Sequence, residues 1–246
     1  AGTLRLSAAA GLVRLPGTID ASAPGGAASL TLDSALNPFV SGTSGARLFD
    51  LPTFLAGAGA GFNGVVQIRV GEGDLAIGAG QTLRATQVRL TSDAGAVSVA
   101  GSIDTSGVNG GNIGLYGASG VSLAATARLD AGAAGYGAKD TRSAQGGAVE
   151  FGTSPGGRID IASGAVIDVA AANTQARLIE TLRKDPVTLN DTLSYDYAAA
   201  DTGGSVLLRA PLVAGNSVDI NYAGTIVGAR SVAVEGYRIF DLQAMA

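Results

Sequence analysis

The 246-residue chain has no cysteine, no histidine and no tryptophan, and a single methionine. Without cysteine no disulfide framework can form, and without cysteine and histidine there is no zinc site of the usual kind. The same absences remove thiol nucleophiles and imidazole bases, leaving carboxylates, serine, lysine and tyrosine for any chemistry. Missing cysteine fixes no compartment by itself, but it is compatible with a bacterial surface protein that crosses an envelope without disulfides. Aromatic residues are only 5% and charged residues 15%, against a hydrophobic fraction of 46% and a net charge of −4. That balance argues against disorder, which needs low hydrophobicity and high net charge. The scattered cations argue against nucleic acid, which wants a clustered basic face. No apolar run approaches the ~20 residues that span a bilayer, so no membrane insertion is expected. The opening Ala1-Gly2-Thr3-Leu4 has neither Met nor a signal peptide and already reads as a strand, as in a mature product or an excerpt.

Glycine is what the chain has in excess, at 38 residues, with alanine also frequent. Such a composition suits backbone segments that lie close together and turn often. No strict Gly-X-Y period is present, which excludes collagen. One short phrase recurs: a small residue, any residue, Ile or Leu, then Asp. It appears as Gly17-Thr18-Ile19-Asp20, Gly101-Ser102-Ile103-Asp104, Ala127-Arg128-Leu129-Asp130 and Ala165-Val166-Ile167-Asp168. Each copy is followed by a Gly-Gly pair and a new alternating run, at Gly25-Gly26, Gly110-Gly111, Gly146-Gly147 and Gly203-Gly204. Between these landmarks lie short alternating stretches such as Val66-Gln67-Ile68-Arg69-Val70 and Val97-Ser98-Val99, which read as strands with one buried face.

A sandwich or barrel would also give short strands, so the register of the repeat decides. Gly95 to Gly120 is one unit of 25 residues holding three such strands. That is one coil of a stacked repeat. The expected fold is therefore all-β, a right-handed parallel β-helix (solenoid) over residues 1–246, with Ile19, Ile103, Leu129 and Ile167 stacked inside. The last stretch, Ile239-Phe240-Asp241-Leu242, still reads as a strand rather than a cap.

The gap from the phrase Asp to its Gly-Gly pair grows along the chain: 6 residues from Asp20 to Gly26, 7 from Asp104 to Gly111, 17 from Asp130 to Gly147 and 36 from Asp168 to Gly204. Insertions at one corner of stacked repeats project from one side, often the binding side. The longest extra-helical loop, 170–202, is expected to carry a short α-helix near 174–184. Asn173 or Thr174 would cap it, Ala176, Ile179 and Arg183, with Leu178 and Leu182, would form its apolar stripe, and Pro186 would end it. Beyond it, Tyr195, Asp196 and Tyr197 form the candidate binding patch, since tyrosine is enriched at interfaces. A second excursion, 34–64, holds four of the six phenylalanines and is expected to pack as an apolar flap.

Carboxylates are the remaining candidates for catalysis. Asp130 and Asp168, with Asp160 and Arg158 near them, would reach the ~5–9.5 Å that paired acids need across a glycosidic bond. An acid that recurs at every turn is explained more simply by capping of backbone N–H groups. No catalytic residue, metal ligand or cofactor is therefore assigned. The glycine-rich calcium nonapeptide fails at its third glycine in Gly156-Gly157-Arg158-Ile159-Asp160.

The phrases Gly101-Ser102-Ile103-Asp104 to Gly110-Gly111-Asn112-Ile113, and Gly156-Gly157-Arg158-Ile159-Asp160-Ile161 to Ile167-Asp168-Val169, resemble filamentous-haemagglutinin-like exoproteins of Gram-negative bacteria. The resemblance implies a β-helical shaft, export through the outer-membrane transporter of a two-partner secretion system, and a secreted or cell-surface location. Members of that family act in virulence as adhesins, toxin-delivery stalks or haem-acquisition proteins, so the expected role is that of an adhesin or structural scaffold, not an enzyme, facing a host-cell protein or glycan receptor. The family's secretion-domain motifs are not matched, since Asn37-Pro38 stands alone. The alternative function is a carbohydrate-active β-helix enzyme, a polysaccharide lyase or hydrolase.

Overall fold

A computed structural model describes residues 2–13, 21, 26–38, 61–184 and 191–240. Two strands come first, β1 (Thr3–Ala8) and β2 (Ser29–Leu36). Then the chain writes triplets: β3 (Val65–Glu72), β4 (Leu75–Ile77) and β5 (Thr82–Arg84); β6 (Gln87–Ser92), β7 (Ala96–Val99) and β8 (Ser102–Asp104). They continue as β9 (Asn112–Gly117), β10 (Gly120–Leu123) and β11 (Arg128–Asp130); β12 (Ala148–Thr153), β13 (Arg158–Ile161) and β14 (Val166–Asp168). A separate pair, β15 (Arg177–Lys184) and β16 (Asp191–Ala198), interrupts the series. It resumes with β17 (Ser205–Pro211), β18 (Ile220–Tyr222), β19 (Thr225–Val227) and β20 (Ser231–Tyr237).

Each triplet supplies one strand to each of three sheets. The eight-stranded sheet runs β1-β2-β3-β6-β9-β12-β17-β20, one five-stranded sheet runs β4-β7-β10-β13-β18, and the other β5-β8-β11-β14-β19. Their pairings are parallel and in step, residue for residue. The protein is thus all-β and built on parallel sheets.

Period-two alternation explains the burial. In the large sheet Leu30, Val66, Val88, Ile113, Val149 and Val206 share one register position, and Leu32, Ile68, Leu90, Leu115, Phe151 and Leu208 the next inward one. All twelve are buried. Val97, Val121 and Ile159 form the matching row of the second sheet. In the third sheet Leu83, Ile103, Leu129 and Ile167 are aligned and buried, as the recurring phrase requires. Ile19 lies outside the described residues. Burying such side chains contributes about 1.5–3 kcal/mol each and is the main force holding the sheets together.

The Gly-Gly pairs have a steric cause. A Cβ at Gly147 would overlap the carbonyl oxygen of Gly111, and one at Gly204 would overlap that of Gly147. Gly147 and Gly204 each donate an N–H across the interior, to the carbonyls of Ala131 and Val169, both at 2.7 Å. The backbones meet too closely there for any side chain.

Three expectations need correction. The α-helix near 174–184 is absent: Arg177–Lys184 is a strand, antiparallel to Asp191–Ala198. Leu178 and Leu182 are one helical turn apart, but they are also on one face of a strand. The alternating run after Pro186 gives that strand a partner, and cross-strand pairing prevails over local helix formation. Asn173 caps no helix; its side chain bonds Asp201. The 34–64 excursion also starts later than expected, because β2 continues to Leu36. Phe62 is buried, and 39–60, with most of the expected flap, lies outside the described residues. Ile239 and Phe240 are outside any strand. Among the described residues no helix is long and apolar enough to cross a membrane.

Candidate functional site

The three phrase aspartates stand in register at the ends of β8, β11 and β14, with Arg84 before them on β5 and Val227 after them on β19. Each carboxylate accepts the backbone N–H two residues on: Ser106 to Asp104 at 3.0 Å, Gly132 to Asp130 at 2.9 Å and Ala170 to Asp168 at 2.9 Å. These are Asx turns, which bend the chain away from the sheet. Asp104 also accepts from the Ser106 hydroxyl at 2.7 Å and from Arg84 Nε at 2.8 Å. Burial works against its ionisation, but the bonds from Ser106 and Arg84 outweigh it and hold the carboxyl below its usual range. Asp160, on the neighbouring sheet, accepts from Asn221. Among the described residues no three acidic side chains converge on a space for a metal ion.

The turns after these aspartates form one corner. Gly107, Ala133 and Ala171 are bridged in parallel across three successive turns, and Gln145 is bridged to Thr202 where the excursions return. The longer loops are therefore stacked on the same side. Asp201 ties two of them together. It is buried and accepts from the Ala144 N–H at 2.7 Å, the Asn173 side chain at 2.8 Å and the Asn173 N–H at 3.3 Å. Burial opposes its charge, yet these bonds, with Arg177 nearby, hold its carboxyl below the ordinary value. Arg142 lies over the Tyr136 ring at 4.1 Å, and Asn109 donates to the Tyr136 hydroxyl at 3.1 Å. Paired with Arg142, the half-buried Asp140 carboxyl falls to about 2.

From this base rises the β15–β16 hairpin. On one side of it Ile179 and Ala198 are buried, while Asp196 is exposed. The register Leu178–Tyr197, Glu180–Tyr195 and Leu182–Leu193 puts six residues on the opposite face. Leu178, Leu182, Leu193, Tyr195 and Tyr197 are 66, 62, 51, 55 and 69% exposed. An exposed, contiguous apolar face of this kind is unusual on a soluble surface and marks interaction sites. Tyr195 and Tyr197 are thus brought together, while Asp196 is separated from them, since it pairs with Ile179 and belongs to the other face. Of the leucines on this face, the sequence reading assigned Leu178 and Leu182 to a helix and did not single out Leu193.

A second surface was not foreseen. On the outer face of the large sheet the Tyr116 ring lies flat over Gly114 and Gly152, where a Cβ would fall 2.7 Å from it. Its hydroxyl donates to Glu150 at 2.6 Å, and Arg89 covers the ring at 4.4 Å. Burial and the bond to Glu150 push the phenol up to about 12. A shallow groove runs past these side chains towards Arg209 and Tyr237. Only the strand register places these residues together; the one cue in sequence is the tyrosine set between Gly114 and Gly117. The chain matches no family model, no curated protein and no solved structure.

Proposed function

We propose that this chain is a segment of a surface-exposed or secreted bacterial exoprotein that works as an adhesin or structural scaffold. In this reading its three sheets are the faces of a right-handed parallel β-helix, and its hairpin is the part offered to a receptor. The cyclic order of strands supports the coil, since each triplet adds one strand to every sheet and parallel crossovers are almost always right-handed. The observation that carries the functional reading is the five-residue Leu and Tyr face exposed on one side of a hairpin whose other side buries Ile179 and Ala198. Tyrosine and leucine there provide contact area with little entropy to lose. The repeated phrases support kinship with filamentous-haemagglutinin-like exoproteins, and with it export by an outer-membrane two-partner-secretion transporter. The partner is then a host-cell protein or a glycan.

The test compares the chain with a Tyr195→Ser/Tyr197→Ser variant for binding to cultured host cells and to a glycan array. Loss of at least tenfold in affinity, about 1.4 kcal/mol, is expected if the tyrosines are central contacts. Binding that survives the double substitution and removal of 177–198 rules out the hairpin.

A further inference from the structure

On the outer face of the large sheet, β3, β6, β9 and β12 line a hollow of about 360 Å³, to which the hairpin contributes nothing. Small residues, Gly114 and Ala148, make its floor, and long ones stand round it, among them Gln87, Arg89, Asn112 and Glu150. Strand register sets this relief. Gln87, Asn112 and Ala148 are aligned in one outward row, and Arg89, Gly114 and Glu150 in the next. The four long side chains are exposed. Among the described residues the amides of Gln87 and Asn112 have no side-chain hydrogen bond, and neither Arg89 nor Glu150 forms an ion pair.

Tyr116 fixes the two charges. Its ring lies against Gly114 and Gly152 and carries the Arg89 guanidinium at 4.4 Å, and its hydroxyl donates to Glu150 at 2.6 Å. The phenol, pushed up to about 12, keeps that proton at any working pH. A guanidinium stacked on a ring keeps its N–H donors in its own plane, where a ligand can reach them. The hollow therefore holds donors and an acceptor in place, with amides beside them, before anything binds, which lowers the ordering cost of binding.

The geometry points to a binding site for a neutral oligosaccharide, laid across the strands over Gly114 and Ala148. The paired charges decide against an ionic ligand. An anion suited to Arg89 meets Glu150, and a cation suited to Glu150 meets Arg89. A hydroxyl both donates and accepts, so neighbouring sugar hydroxyls satisfy guanidinium, carboxylate and amides together. A peptide fits less well, because β6, β9 and β12 have both edges paired and no strand can be added there. Neighbouring strands lie ~4.8 Å apart, about the length of one pyranose unit, so successive sugars meet successive strands. The site is separate from the hairpin and does not rest on the receptor reading.

Isothermal titration calorimetry on the full chain tests it, with short gluco-, manno- and galacto-oligosaccharides as probes and heparin and polygalacturonate as charged comparators. Micromolar to millimolar affinity for at least one neutral series is expected. Arg89→Ala and Glu150→Ala should each weaken it about tenfold or more, since each removes charge-assisted hydrogen bonds. Tyr116→Phe keeps the ring but releases Glu150. As the loss of a positioning residue it should weaken binding severalfold while thermal unfolding changes little. Lys139→Ala, in the corner loops, is the control and should bind as wild type. No binding to any of the three neutral series at about 10 mM overturns the proposal. So does tighter binding of heparin or polygalacturonate than of every neutral probe, or affinity unmoved by well-folded Arg89→Ala and Glu150→Ala.

Discussion

Replacing Gly147 with alanine tests the packing at the corner most directly. The added Cβ would overlap the Gly111 carbonyl oxygen and sit 2.8 Å from its carbonyl carbon. Carbon atoms rest about 3.5–4.0 Å apart, so the neighbouring strand end must retreat by roughly 1 Å. That retreat pulls on two bonds, Gly147 N–H to Ala131 at 2.7 Å and Ala148 N–H to the same Gly111 carbonyl at 3.2 Å. Losing one of them leaves a buried polar group at about 1–3 kcal/mol, and overpacking adds about 1–3 kcal/mol. A total near 3 kcal/mol corresponds to a melting midpoint lower by about 6–12 °C in a domain of this size. Gly137 is the control, since a Cβ there meets nothing within 4 Å. Gly137→Ala should lie within about 0.5 kcal/mol of wild type. Thermal unfolding followed by the β-strand circular dichroism signal reads both. If Gly147→Ala melts within about 1 °C of wild type, or Gly137→Ala is equally damaging, the close-approach reasoning is refuted.

Asp201→Ala should orphan the Ala144 and Asn173 donors and cost about 2–3 kcal/mol, read as earlier proteolysis of the 131–146 and 170–204 loops than of the sheets. Because the Asp201 carboxyl is held below its ordinary value, its contribution is fully present above about pH 4 and fades as pH falls through the lowered value. Asp201→Asn should therefore flatten the acid limb of the stability curve in that window, and an unchanged limb would contradict the assignment. Arg177 buries Nε and one terminal nitrogen without acceptors but helps hold the Asp201 carboxyl low, so Arg177→Met should move the acid limb of the stability curve to higher pH, read by chemical denaturation across that limb. A carbohydrate-active enzyme would predict turnover of uronate polysaccharides abolished by Asp168→Asn. With the Asp168 carboxylate spent on the Ala170 N–H, no turnover is expected from either form.

The stack of Ile103, Leu129 and Ile167 was readable because alternation and a repeated phrase are local, and equal spacing fixes register without any partner strand being known. The Gly-Gly pairs were visible as a pattern, but their cause, carbonyls from the strand below, is not written beside them. The hairpin was misread because Leu178 and Leu182 satisfy helical and extended spacing equally. The deciding residues, Leu193, Tyr195 and Tyr197, come later in the chain, on the partner strand. For the same reason the sequence reading placed Tyr195 and Tyr197 apart from Leu178 and Leu182, which share their face of the hairpin. Tyr116, Arg89 and Glu150 lie 27 and 34 residues apart in sequence, and only the alignment of β6, β9 and β12 makes them neighbours.

The bridges at Ala171 and Thr202 hold both feet of the long excursion in step with the turn before it, and Asp201 bolts them there. The strands between those feet belong to none of the three stacked sheets. Exchange of that stretch by recombination would swap the exposed head for another, of different length and chemistry, while leaving each interior residue where it was. The corner thus acts as a socket, and variation in what the molecule touches can proceed without renegotiating how it folds.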